Sequence, residues 1–478
     1  MGDRTLSTPG VSRALALLVA AGSVPLIALG GLSTPAAVAG VITPSPPNIV
    51  LILTDDQGND MFGPMPRTRA SLLDQGVTFS NGISPTSLCC PARAALLSGT
   101  YSHTNGVWTN GPPLGGWQAF SGMESHTVAT ALDDVGYQTG FFGKYLNGWS
   151  SPADPVVPAG WDSFSAMRGP SGAGGAYYDY ELVGIGQRES FGATPEDYST
   201  DVLATRASDF VTAADPAAPL FVIYAPYGPH APSNPAPRHV GTWPTAALQP
   251  PANEEDMSDK PAFMQSLAPI PKRKLRRAIR KQNESLISVD EGVQKLIEAV
   301  GADRAANTLF VFLSDNALLN GDHRLRGKYV PYEGATEIPI ALRWDGVIAP
   351  GQVDPRIFTI QDVTTTIVEA AGATLPTEGV SYLSGTRDGT VVEGVETTND
   401  GFTRPAYCGW RTEQYLYVRY SNGAGDELYD YALDPDELDN RATDPSYTKT
   451  LGQLRATAQP ACTPGPPGFR WDAEPVTP

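Results

Sequence analysis

Short, continuous apolar runs alternate along this chain with stretches whose apolar residues recur at helical spacing. That alternation predicts an α/β protein with a large, mostly parallel sheet covered by helices on both faces. Four runs define the pattern: Asn48–Thr54, Gln138–Phe142, Leu220–Tyr224 and Leu309–Leu313. Between them, Thr127–Asp134 reads as a helix closed by Gly136, and Ser288–Val300 has helical spacing before Gly301. Thr194-Pro195-Glu196-Asp197 supplies a cap, a first-turn proline and first-turn acids for another helix.

Each run stops at residues that carry chemistry. The first ends in Asp55-Asp56, the second in Gly143-Lys144 and the fourth in Ser314-Asp315-Asn316, while the third leads to Pro229-His230-Ala231-Pro232. Ligands of open α/β sheets sit outside the carboxyl ends of the strands, so the four ends point at one crevice. Asp55, Asp56, Asp315 and Asn316 offer only oxygen donors, which suits a hard divalent cation. Calcium, with its larger and more flexible shell, fits better than magnesium, which usually keeps several waters. Taken singly, each acid reads as a turn or cap residue, but two adjacent pairs at two strand ends read as ligands.

The segment Ser87-Leu88-Cys89-Cys90-Pro91-Ala92-Arg93 runs on to Gly99. Proline fits the first helical turn, so Pro91 is expected to open a helix that Gly99 closes, with free N–H groups and the positive dipole end facing Cys89 and Arg93. That is a prepared anion site. The competing reading makes Cys89 and Cys90 ordinary small buried residues beside a helix cap. Histidine is scarce, with five in the chain, and three lie near this chemistry: His103 after the cysteine segment, His230 in Pro-His-Ala-Pro, and His323 in Gly-Asp-His-Arg. His126 and His239 lie away from the strand ends and read as hydrogen-bonded surface or core residues.

A chain of 478 residues accommodates one large core and a smaller domain. Residues 1–39 stand apart from it. Arg4 and Arg13 precede an apolar run from Ala14 to Leu32, then Ala37-Val38-Ala39, which reads as a secretory signal cut near Gly40. An uncleaved membrane anchor is the poorer reading, because Pro25 and several glycines interrupt a run short for a bilayer span. No cysteine follows it to carry a lipid. A secreted or extracytoplasmic protein can form disulfides, and Cys408 and Cys462 are expected to bridge; no pair has the Cys-x-x-Cys partner that zinc would need.

The formal net charge of −18 argues against a nucleic-acid binder. One segment runs the other way: Lys272–Lys281 carries seven positive charges and no acid. It reads either as a solvated helix face or as a docking surface for a polyanion such as a sulfated glycan. Residues 150–189, rich in Gly and Pro with Trp161, Tyr177, Tyr178 and Tyr180, are expected to shape the pocket, their rings stacking on substrate or packing the loop.

Cys89-x-Pro91-x-Arg93 is similar to the signature of the type I, formylglycine-dependent sulfatases, and the match extends along the chain. Leu53-Thr54-Asp55-Asp56-Gln57, Gly143-Lys144-Tyr145-Leu146-Asn147, Pro229-His230-Ala231-Pro232, Ser314-Asp315-Asn316 and Gly327-Lys328-Tyr329 stand in the family's order. Cys-Cys-Pro together with Gly-Lys-Tyr-Leu-Asn resembles the N-acetylglucosamine-6-sulfatase branch, with arylsulfatases alongside. The resemblance implies an alkaline-phosphatase-like catalytic domain over residues 45–385, with a mixed, mostly parallel sheet sandwiched by helices. A smaller C-terminal α+β domain with an antiparallel sheet follows over 386–478.

It further implies that Cys89 is oxidised to formylglycine by a maturation enzyme, and that Asp55, Asp56, Asp315, Asn316 and an oxygen of matured Cys89 hold the metal. Arg93 would fix the aldehyde hydrate, and Lys144, His230 and Lys328 would contact the sulfate or its leaving oxygen. One hydroxyl of the hydrate attacks sulfur, and loss of the second proton then expels sulfate. Three departures mark this chain: Ala92 replaces the usual serine, Leu146-Asn147 stand where many members have a histidine, and Ala317 replaces a frequent glycine. The base for the elimination is therefore open between His103 and His323, with Asn147 as a substrate contact instead. Competing activities are a phosphodiester or phosphonate monoester hydrolase of the same architecture, and a non-catalytic protein that binds sulfated glycans.

Overall fold

The computed structural model describes residues 45–149, 156–168, 175–244, 248, 251–399 and 402–472. The expected leader, 1–39, lies outside them. Ten strands build the main sheet: β1 (Asn48–Thr54), β2 (Val77–Ile83), β3 (Gln138–Gly143), β4 (Ser163–Arg168), β5 (Glu181–Gly184), β6 (Gln187–Ser190), β7 (Leu220–Ala225), β8 (Thr308–Ser314), β9 (Ile340–Trp344) and β10 (Gln352–Thr359). Their order is β10-β2-β9-β8-β1-β7-β3-β4-β5-β6. The central strands β8, β1, β7, β3 and β4 are mutually parallel, and β9 runs antiparallel to both of its neighbours.

Every residue of β1 after Asn48 is buried, which is why its run lacks polar alternation. The pleat sends its side chains to two separate cores. Ile49, Leu51 and Leu53 pack with Phe221, Ile223, Val311 and Leu313 under α1 (Cys89–Ser98) and α2 (Val128–Asp133). Val50 and Ile52 point the other way, with Val222, Tyr224, Phe310 and Phe312, under α3 (Ser199–Ala213) and α4 (Lys272–Ala305). Each fully buried aliphatic or aromatic side chain on these faces contributes about 1.5–3 kcal/mol. A further helix, α5 (Ile360–Ala371), joins the first core through Ile360, Val363 and Ile367.

Helix signals in the sequence hold with shifted limits. Thr127 caps α2 in a reciprocal box with Thr130. Thr194–Asp197 opens a 3₁₀ turn over Pro195–Asp197 just before α3. Gly301 breaks α4 at φ 69°, but the helix begins at Lys272, so the basic segment forms its first turns.

A smaller antiparallel sheet follows, with β11 (Thr390–Gly394), β12 (Tyr407–Arg411), β13 (Tyr415–Tyr420) and β14 (Asp426–Asp430) in that order. Helix α6 (Thr448–Ala461) covers it, and Cys408 of β12 is bonded to Cys462 at the helix end. Both sheets belong to one unit that starts at Pro46. No helix among the described residues is long and apolar enough to cross a membrane.

Candidate active site

The carboxyl ends of β1, β3, β7 and β8 meet around the first turn of α1. That helix begins at Cys89, two residues earlier than expected, after an extended Leu88. Ala92 N–H donates to the Leu88 carbonyl at 3.0 Å, so Pro91 sits inside the first turn. N–H groups there have no partner within the helix, so a proline costs nothing. Gly99 closes the helix at φ 71°, where a Cβ would lie 2.4 Å from Thr377 Cγ2.

Cys89 Sγ lies 3.6 Å from Asp55 Oδ1 and 2.7 Å from Lys328 Nζ. Asp55 also pairs with Lys144, and Asp56 pairs with Lys328. Arg93, one turn beyond Cys89, donates from Nε to Asp315 Oδ2 (2.8 Å) and from Nη1 to the Lys144 carbonyl (2.6 Å). Its Nη2 is buried without a hydrogen bond, 3.6 Å from Asp55 Oδ2. Asn316 Nδ2 reaches Asp56 Oδ1 at 2.6 Å, while Asp315 Oδ1 accepts the N–H groups of Asp56 (3.2 Å) and Asn316 (2.8 Å). Asp56 sits at φ 68°, a conformation non-glycine residues rarely hold without a reason in the site.

His230 completes the group. Its Nδ1 donates to the Ala231 carbonyl at 2.7 Å, which turns Nε2 toward Asp56 Oδ2 at 3.7 Å. Asp55, Asp56, Cys89 and His230 each present an atom within 4.8 Å of the others. Lys144 rides on Gly143, whose φ of 138° brings the backbone so close to β7 that a Cβ would meet the Ala225 carbonyl at 1.9 Å.

Burial pushes the carboxyls of this cluster up, but their neighbours outweigh it. Lys144, His230 and Arg93 hold Asp55 down at about 2, and Lys328 with His230 lowers Asp56. Burial likewise opposes the cations, yet Asp55 holds Lys144 above its ordinary value, Asp56 does so for Lys328, and Asp56 with Asp55 lifts His230 to about 9. All these groups are therefore charged at neutral pH. Cys90, by contrast, is pushed up to about 12 by burial and is an inert thiol.

A metal fits the donor set. Asp55 and Asp56 present oxygens within 4.8 Å of each other and of the Cys89 sulfur, the buried Asp315 and Asn316 side chains are hydrogen-bonded to Asp56, and a lysine ammonium sits on each of the first two carboxylates. Three carboxylates and an amide are the oxygen donors that a hard divalent cation takes.

The sulfatase family profile matches residues 47–373, the span that carries every one of these residues. The chain belongs to the sulfatase family, and it is a sulfatase enzyme. A second profile, N-sulphoglucosamine sulphohydrolase, C-terminal, matches residues 321–460. Human N-acetylglucosamine-6-sulfatase is 29% identical, over 89% of this chain and 88% of its own length. An extracellular sulfatase SULF-1 homolog of Drosophila melanogaster is 30% identical over 69% of this chain and 30% of its own length. A solved structure in complex with its substrate, D-glucosamine-2-N,6-O-disulfate, shares the fold at a TM-score of 0.74 and 22% identity, covering 88% of this chain and 98% of that one.

Two sequence-predicted histidines of this sulfatase are held by glutamates and are not members of the group gathered at Cys89. His103 Nδ1 is bonded to Glu393 at 2.8 Å, and its ring stacks on Tyr101. His323 is 1% exposed, with Nδ1 on Glu254 Oε2 (2.7 Å) and Nε2 3.7 Å from Glu437. It borders a cavity of about 500 Å³ that is also lined by Asp60, Asp322, Glu333 and Glu337. Among the described residues no lysine or arginine lines that cavity, whereas the Cys89 cluster offers a sulfate ester both. Asn147 shares the Lys144 loop, and its Oδ1 is buried without a hydrogen bond.

Two aromatics support His230: Tyr177, one of the rings expected to shape the pocket, and Tyr227, which carried no expectation. Tyr177 Oη donates to the His230 carbonyl at 2.8 Å, and Tyr227 lies against both the His230 ring (4.7 Å) and Lys144 (5.5 Å to the ring centre). The Tyr-Gly-Pro-His run offered the only signal for Tyr227. The other aromatics of 150–189 pack inward: Trp161 on Phe221 and Tyr180 on Phe191, with Tyr178 against Tyr198. Residues 150–155 and 169–174 of that stretch lie outside the described residues.

Proposed function

We propose that this sulfatase removes sulfate from a sulfated carbohydrate, with Cys89 matured to formylglycine by a formylglycine-generating enzyme. The observation that carries the reading is Cys89 at the opening turn of α1, enclosed by Asp55 and His230 at the ends of two predicted strands and by Lys328. Asp55, Asp56, Asp315 and Asn316 would hold a divalent cation, Ca²⁺ in preference to Mg²⁺. Such an ion supplies Lewis-acid polarisation of a sulfate oxygen. The formylglycine hydrate supplies the attacking hydroxyl and the second hydroxyl whose proton loss frees sulfate.

The chain's own residues do the rest. Arg93 is locked by Asp315 and the Lys144 carbonyl, which leaves Nη2 as a fixed donor for the residue-89 side chain. Lys144 and Lys328 are positive whatever the substrate does, so they stabilise charge that grows on the sulfate oxygens as the S–O bond breaks. His230, protonated at neutral pH, gives its Nε2 proton to the departing alcohol oxygen and is then neutral. In that state it accepts the proton released in the elimination step, a task for which His103 and His323 are already engaged by glutamates.

Residues 1–39 act as an export signal on this reading, and the Cys408–Cys462 bond suits an oxidising compartment. Turnover of aryl sulfate against aryl phosphate by the purified protein tests the function. The expected result is a clear preference for sulfate. A clear preference for phosphate would move the enzyme to the phosphodiester or phosphonate hydrolases.

A further inference from the structure

The first turns of α4 carry an exposed positive stripe in a protein whose net charge is −18. Lys272, Arg273, Lys274, Arg276 and Arg277 are exposed, and among the described residues no acid pairs with any of them. Arg280 has one distant partner, Glu284 at 3.8 Å. The arrangement works against the helix twice. Like charges crowd within two turns, and they sit at the positive end of the helix dipole with no acid in the first turn. Leu275 and Gln282 are buried, so the inward face needs none of these charges. An anionic partner removes both penalties.

The stripe is tied to the active site by its last member. Lys281 Nζ donates to the Pro232 carbonyl (2.9 Å) and to Asn234 Oδ1 (3.0 Å), both in the loop that carries His230. Lys274 and Arg277 lie on the same side of the helix as Lys281, seven and four residues back, so the stripe reaches about 10 Å beyond that anchor. His230 is the acid for the leaving oxygen, so the part of a substrate that departs lies on its side of the site. For a sulfated glycan that part is the rest of the chain.

We propose that the exposed basic face of α4, from Arg273 to Lys281, binds the continuing chain of a polysulfated glycan whose reacting sulfate sits at Cys89. This rests on the sulfatase reading of the Cys89 cluster and adds a second, non-catalytic contact for long substrates. The full-length protein would then act on sulfated chains with a lower KM than on a single sulfated sugar, and that difference would fade with salt.

The test compares the wild-type protein with the triple variant Arg273→Glu, Lys274→Glu, Arg277→Glu and with the conservative pair Arg273→Lys, Arg277→Lys. Heparin, a polysulfated glycan, is the probe, titrated at several salt concentrations, with anionic lipid vesicles and a DNA oligonucleotide as other polyanions. The triple variant is expected to bind heparin about tenfold or more weakly, with a salt slope smaller by about two to three, while the conservative pair binds normally. Turnover of a small aryl sulfate stays unchanged, and the thermal midpoint stays level or rises because acids now sit at the helix start. Equal heparin affinity in wild type and triple variant, no heparin binding at all, or tighter binding to vesicles or DNA overturns the proposal. Loss of the sulfatase reading has a different signature: no aryl sulfate turnover in the wild type while heparin still binds.

Discussion

Two histidines, half-buried His230 and buried His323, both rise to about 9 against the pull of burial, in each case because carboxylates face them. Their surroundings differ in what else is present. His230 shares its carboxylates with Arg93, Lys144, Lys328 and a cysteine at a helix start, and its side chain is 25% exposed. His323 is closed in by Glu254, Glu437 and the Tyr332 ring, beside Lys260, with no nucleophile in the group. A perturbed histidine therefore marks a charge cluster, and only its access and its neighbours separate chemistry from bracing.

Several changes break or sharpen that contrast. The largest belongs to the nucleophile position: Cys89→Ala should lower aryl sulfate turnover by about 10⁶-fold, the scale of losing an enzymic nucleophile, while Cys90→Ala stays near wild type. Steady-state kinetics with the reverse ranking would place the site on the wrong cysteine. Next, His230→Ala should cut kcat by about 10²–10⁴, as removal of a general acid does, and His323→Gln should leave kcat within a few-fold. Comparable losses in both variants would erase the distinction.

His323 should instead appear in stability. Its folded-state pKa of about 9 lies above the ordinary 6.5, so its contribution is whole below about 6.5 and drains as pH rises through 9. The difference corresponds to about 3 kcal/mol. The wild-type thermal midpoint should therefore fall between pH 6.5 and 9, and His323→Gln should be less stable below pH 6.5 with a flatter profile. A wild-type midpoint that climbs over that range contradicts the brace. The smallest effect is expected from Tyr177→Phe, which removes the hydroxyl held on the His230 carbonyl; about 1 kcal/mol, or roughly fivefold in kcat with little change in KM, is the scale of one such bond.

Much of this was legible in the chain. Fully buried strands have continuous apolar runs, and β1, β3, β7 and β8 lie where those runs stand, with Asp55, Lys144, His230 and Asp315 at or just beyond their ends. His323 is harder to place, because the run Gly-Asp-His-Arg says nothing of the direction its ring takes. The backbone there turns through φ 50° and delivers the ring to Glu254, 69 residues away. Pro91 misled by two residues because a proline is tolerated throughout the unpaired first turn, so it marks a helix start without fixing it. Tyr177 was counted as pocket or packing aromatic, and its role on the His230 carbonyl depends on a loop contact that no periodicity encodes. The helix face offered for Lys272–Lys281 is the start of α4, continuous with the helix expected over Ser288–Val300, and buried Leu275 and Gln282 mark its inward side.

The central claim is that residue 89 works as formylglycine and not as a thiol. Trypsin should release it in the peptide Ala70–Arg93, since no lysine or arginine lies between Ala70 and Ala92. Mass spectrometry of that peptide from catalytically active protein made in its native host should give the mass of formylglycine at position 89 and unmodified cysteine at 90. Full aryl sulfatase activity from protein carrying only unmodified Cys89 would contradict the account.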